Sequence, residues 1–84
     1  MTQPTEERLI NFVRQHAVNA TSIERTTDLI DMGAMDSLML MELVLFVEET
    51  WGVCLMGHDF SPSHFRSIER LTLLIEARRL SQSA

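Results

Sequence analysis

Asp36-Ser37-Leu38-Met39-Leu40-Met41-Glu42-Leu43-Val44-Leu45-Phe46-Val47-Glu48-Glu49-Thr50-Trp51-Gly52 carries the pattern of one long helix, and the rest of the chain is arranged around it. It opens on two residues, Asp36 and Ser37, whose short side-chain oxygens can accept a bond from an orphan helical N–H. It closes on Gly52, a stop signal for a helix. Between them the apolar residues fall on a wheel advancing about 100° per residue. Leu40, Leu43, Val44, Val47 and Trp51 share one side, flanked by Met39 and Phe46, which predicts the core face. Leu38, Met41 and Leu45 share the opposite side, interleaved with Glu42, Glu48 and Glu49. A helix with two apolar faces is not buried all round in so short a chain. Either a loop covers the second face, or that face is a docking surface of apolar anchors rimmed by carboxylates.

Upstream, Pro4 in a first-turn position and Glu6 and Glu7 near the positive helix end predict a first helix from about Pro4 to His16. Its apolar residues Leu9, Ile10, Phe12, Val13 and Ala17 recur at helical spacing. His16 is a helix-end histidine. A long polar connection follows, from Val18 to about Met35, with Ile23, Leu29, Ile30 and Met32 expected to tie it to the core. A structured loop of that length in so small a domain is usually functional. Downstream, Val53-Cys54-Leu55-Met56 reads as a short apolar connector. Ser61-Pro62 then caps and opens a single helical turn through His64 and Phe65. Ser67 caps a last helix with Ile68, Leu71, Leu74 and Ile75 on one face and Arg78 and Arg79 at its negative end. The architecture expected is all-α: a small four-helix bundle with a long loop between helices 1 and 2 and a very short helix 3.

The 84 residues make one domain, with room for a single core. Seven Lys+Arg against twelve Asp+Glu give −5, and every cation is arginine. That sign is wrong for binding a phosphate backbone, so nucleic acid is not an expected partner. No apolar run approaches the ~18 residues that span a bilayer, and the polar, acidic start Met1-Thr2-Gln3-Pro4-Thr5-Glu6-Glu7 is no secretory signal. Neither a membrane nor export is expected. Charge is uneven: Glu24, Asp28, Asp31, Asp36, Glu42, Glu48 and Glu49 meet only Arg25 between positions 24 and 49. An acidic middle can steer a basic partner toward it. Cys54 is a lone cysteine, which excludes an internal disulfide and fits a reducing compartment. With His58, Asp59 and His64 it matches no four-ligand zinc spacing, so no metal is expected and Cys54 reads as a half-buried small hydrophobe.

The segment Asp28-Leu29-Ile30-Asp31-Met32-Gly33-Ala34-Met35-Asp36-Ser37-Leu38 resembles the acyl carrier protein family and the related peptidyl carrier domains, in the free-standing form. Their attachment signature is a Gly, a few residues, then Asp-Ser-Leu opening the second helix. Glu42-Leu43-Val44, Val47-Glu48-Glu49-Thr50-Trp51-Gly52-Val53 and Phe65-Arg66-Ser67-Ile68 are also similar to the family's pattern. The resemblance covers Ile23 to Arg79, inside a single carrier domain spanning 1–84 with its core at about 4–80.

The resemblance implies that Ser37 carries a phosphopantetheine arm, transferred from coenzyme A by a separate phosphopantetheinyl transferase. It implies that Asp36 presents Ser37 and helps bind the transferase's Mg²⁺. The arm's thiol, not Cys54, would hold an acyl or aminoacyl group as a thioester. The chain itself would be no enzyme. It would be a cytoplasmic monomer that a loading enzyme charges and that downstream synthases, transferases or tailoring enzymes discharge. Leu38, Met41, Glu42, Leu45, Glu48 and Glu49 would form the docking face for those partners. Fatty-acid carriers usually place an acid after Ser-Leu, whereas Met39-Leu40-Met41 stands here. That departure favours polyketide, nonribosomal-peptide or related antibiotic biosynthesis over a fatty-acid synthesis carrier. A helical adaptor that keeps the fold but is never acylated is the reading from another class. Phe12, Phe46, Trp51 and Phe65 are expected as bulky core fillers, which would leave a small or polar cargo largely in solvent.

Overall fold

The computed structural model of the chain describes residues 4–16 and 23–82. Four α-helices make a small bundle: α1 Thr5–His16, α2 Ser37–Trp51, α3 Pro62–Phe65 and α4 Ile68–Gln82. A single 3-10 turn, Gly57–Phe60, precedes α3. Among the described residues there is no strand, and no helix is long and apolar enough to cross a membrane. Ala17, and the start of the long connection from Val18 to Ser22, lie outside the described residues.

In α1, Thr5, Leu9 and Val13 recur every four residues and form the buried stripe. It packs mainly on α4, where the Thr5 hydroxyl donates to Glu76 Oε1 at 2.5 Å. In α4, Ile68, Leu71, Leu74 and Ile75 are buried, and Ser67 caps the helix by accepting from Arg70 N at 3.2 Å. Ser61 likewise accepts from Ser63 N at 3.3 Å to start α3, with Pro62 in its first position. Phe65 is the bulky side chain that α3 delivers to the core.

The connection leading to α2 is fixed by bonds at both edges. Arg25 O accepts from Glu69 N at 2.9 Å, and Leu29 N donates to Arg66 O at 2.6 Å. The Arg25 guanidinium bridges Glu6 of α1 and Glu69 of α4, and Arg66 pairs with Asp28 at 2.8 Å. Ile23 and Leu29 are fully buried, as expected. Ile30 and Met32 are not: they stand exposed on the turn that Gly33 closes at φ 79°. The Asp28 carboxylate accepting from Asp31 N and the αL backbone of Gly33 shape that turn, so packing is not required of every apolar residue in it.

Three further expectations are corrected. On α2 the centre of the buried stripe is Met39, Leu43 and Val47, while Leu40, Val44, Phe46 and Trp51 are only partly buried. Leu43 and Val47 lie on the face expected, and the stripe is turned toward Met39 by about half a position. The aromatic side chains are not the core fillers: Phe65 alone is buried, and the core is otherwise aliphatic. Phe12, Phe46 and Trp51 are partly buried instead, Phe12 stacked face to face on Phe46 and Phe46 meeting Trp51 edge to face along the α1–α2 seam. Cys54 is exposed rather than half-buried, because Val53 and Leu55 on either side of it take the core positions.

Candidate functional site

Asp36 and Ser37 divide the work at the start of α2. Asp36 takes the N-cap position at φ −86° and ψ 179°, and its Oδ1 accepts from Met39 N at 2.8 Å. Its carbonyl accepts the first helical bond, from Leu40 N at 2.9 Å. Ser37 is therefore not the cap. It is the first residue of the helix, exposed, and its hydroxyl has no partner among the described residues. The N–H groups of Ser37 and Leu38 have no acceptor within the helix. Together with the helix dipole they favour an anion beside that hydroxyl. A phosphodiester on Ser37 Oγ fits this end: the hydroxyl is accessible, two donors are open, and no side chain covers it. No base or nucleophile activator stands in hydrogen-bond reach of Ser37 among the described residues.

From Ser37 the exposed face of α2 runs through Leu38, Met41 and Leu45, with 59%, 57% and 53% of their surface in solvent. The connection does not cover them. Glu48 and Glu49 are exposed and Glu42 is partly buried, all on the same helix. The ion pairs among the described residues use Glu6, Glu69, Asp28, Asp59 and Glu76. None uses Asp36, Glu42, Glu48 or Glu49, so α2 presents its carboxylates without cation partners. The six side chains singled out for docking, and Asp36 with Ser37, thus lie on one helix and at its N-terminus.

Asp59 is where the sequence reading missed most. It is 3% exposed and receives the Arg78 guanidinium on both oxygens, at 3.1 Å from Nε and 2.5 Å from Nη2. Met56 N donates to the same carboxylate at 3.1 Å, and His64 Nδ1 lies 3.0 Å from Asp59 O. Arg78 was expected to serve the negative end of α4, but it bonds the 3-10 turn instead. The Arg78 hydrogen bonds first, then the Met56 N–H, hold the Asp59 carboxyl below its usual range against the opposing effect of burial. Cys54, His58, Asp59 and His64 do not gather: no group of three metal-ligating side chains occurs among the described residues.

A concavity lies on the seam of α1 and α2. Arg8, Asn11, Phe12, Gln15 and Phe46 line it. The sequence signal for it was available, since Arg8, Asn11, Phe12 and Gln15 sit at i, i+3, i+4 and i+7 on one helix face. The aromatic residues in it were assigned to the core instead. No protein-family model matches the chain, and no curated protein matches its sequence, so the reading of Ser37 rests on the residues and geometry given above.

Proposed function

We propose that the chain is a free-standing carrier that holds a biosynthetic acyl or aminoacyl intermediate on a phosphopantetheine arm attached to Ser37. The observation that carries the reading is an exposed, unpartnered serine hydroxyl at the first position of α2, directly after the aspartate that caps the helix. With Asp36 holding Met39 N, Ser37 is not needed for the helix and is left for chemistry. When bound, the arm supplies a terminal thiol that carries cargo as a thioester. This chain's residues then present the attachment point and offer Leu38, Met41 and Leu45, with Glu42, Glu48 and Glu49, to the enzymes that load and unload it. A polyketide, nonribosomal-peptide or related pathway is the setting that Met39-Leu40-Met41 after Ser37-Leu38 supports.

One observation favours a second reading, the fatty-acid synthesis carrier. Only Phe65 among the aromatic residues is buried, so the core is mostly Leu, Ile and Val and offers softer walls to an inserted alkyl chain. A fluorescent coenzyme A analogue tests the shared claim. With Mg²⁺ and a broad-specificity phosphopantetheinyl transferase, the wild-type chain should become labelled and Ser37→Ala should not. Asp36→Asn, which keeps a capping oxygen, should be labelled more slowly. An unlabelled wild-type chain would leave the helical adaptor standing.

A further inference from the structure

The groove on the α1–α2 seam has about 240 Å³ of open volume. Of the chain's arginines, Arg25, Arg66, Arg78 and Arg79 pair with carboxylates, and Arg14 donates to Ile23 O at 2.8 Å. Arg8 has no hydrogen-bond or ion-pair partner among the described residues, and it lies in the groove. Its guanidinium carbon sits over the Trp51 ring at 5.9 Å from the centroid, a cation–π contact that uses none of its N–H donors. Asn11 and Gln15 continue the same face, and their side-chain amides also have no partner there.

The aromatic part of the lining is Phe12, on the same face of α1, and Phe46 across the seam on α2. Phe12 is sandwiched between His16 at 4.1 Å and Phe46 at 4.3 Å, so both of its ring faces are occupied. What Phe12 can turn to the groove is its rim, the positive edge of the ring quadrupole. Three polar heads without partners among the described residues, a ring rim beside them and no carboxylate in the lining together favour an anion with a flat hydrocarbon body. A planar fork of donors selects a carboxylate among anions.

We propose that this groove binds a small carboxylate, with the carboxylate on the Arg8 guanidinium, the body against Phe12 and Phe46, and Asn11 and Gln15 bonding its other polar groups. The site is independent of the carrier reading, because it uses no residue of α2's exposed face and needs no arm. Benzoate is the probe and benzamide its neutral counterpart, titrated into the unmodified full chain at constant ionic strength and followed by ¹H–¹⁵N NMR. Benzoate should give saturable shifts at Arg8 Nε–H and at the Asn11 and Gln15 side-chain amides, and benzamide should not. Arg8→Gln should weaken benzoate binding about tenfold or more, from the loss of a charge-assisted bond. Asn11→Ala, at an exposed position, should weaken it about two- to tenfold. Arg70→Gln, an exposed arginine elsewhere, should leave it unchanged. Equal response to benzamide, shifts that never saturate, or unaltered binding in both Arg8→Gln and Asn11→Ala would overturn the proposal. The spectrum of each variant reports its fold in the same experiment.

Discussion

Adjacent residues at the head of α2 have separable roles, and their separation is measurable as stability. Because Asp36 Oδ1 holds Met39 N, Asp36→Ala should destabilise the domain by about 0.5–2 kcal/mol in chemical denaturation. Ser37→Ala removes a hydroxyl with no partner and should stay within about 0.5 kcal/mol of wild type. A loss at Ser37 as large as that at Asp36 would mean that the serine serves the fold. Met41 makes the matching case on the exposed face. At 57% exposure it supports little of the core, so Met41→Glu should barely move the melting temperature. It should cut loading by the cognate enzyme about ten- to hundredfold, since one buried anchor is worth about 1.5–3 kcal/mol to a complex. Unfolding of Met41→Glu, with the folded remainder loading normally, would place Met41 in the core.

Among the elements, the 3-10 turn depends on one ionic contact. Arg78, late in α4, holds Asp59 and through it the segment that delivers Phe65 to the core. Asp59→Ala should cost about 1–3 kcal/mol, because a buried acceptor of charged and backbone donors is lost. Both Asp59 and Asp28 have carboxyl groups held below their ordinary range: Asp59 chiefly by Arg78, and Asp28 chiefly by the Asp31 N–H. A lowered folded value means that the unfolded chain takes up protons first. The stabilisation is therefore complete above the unfolded carboxylate pKa of about 3.9 and is lost as pH falls through the folded values. Melting temperature should hold steady down to about pH 4 and then fall, and Asp59→Asn should flatten that fall. The long helices were legible because their periodicity, caps and stop residues all agreed: Ser37–Trp51 and Ile68–Gln82 follow from Gly52 and Ser67 as much as from their apolar spacing. The 3-10 turn was not legible, since Gly57-His58-Asp59-Phe60 is too short to show a period. Its key contact also joins residues that sequence spacing does not relate.

For the molecule as a whole, the arginines explain why the exposed side of α2 is acidic. Arg25, Arg66 and Arg78 pair with acids of the chain itself, Arg25 joining the connection to α1 and α4, Arg66 joining it to the α3–α4 junction, and Arg78 joining the 3-10 turn to α4. Among the described residues, Glu48 and Glu49 are left exposed and Glu42 partly exposed, none of them in an ion pair. Encounter with a basic partner should therefore be fast at low salt, and the rate should fall as ionic strength rises past the point where the screening length is about 10 Å. This division was only half legible. Net charge and the acidic run from Glu24 to Glu49 could be read directly, but which acids are neutralised depends on pairs brought together by folding. The aromatic residues were misplaced for a related reason: a wheel tells which side of a helix a ring is on, not whether a neighbour covers it. The carrier reading turns on a single bond, the one from Ser37 Oγ to phosphorus. Its most direct measurement is fragment mass spectrometry of the chain after incubation with coenzyme A, Mg²⁺ and a phosphopantetheinyl transferase. The expected result is one phosphopantetheinyl group per chain, on Ser37 and on no other serine. An unmodified Ser37, or the group found on a different serine, would contradict it.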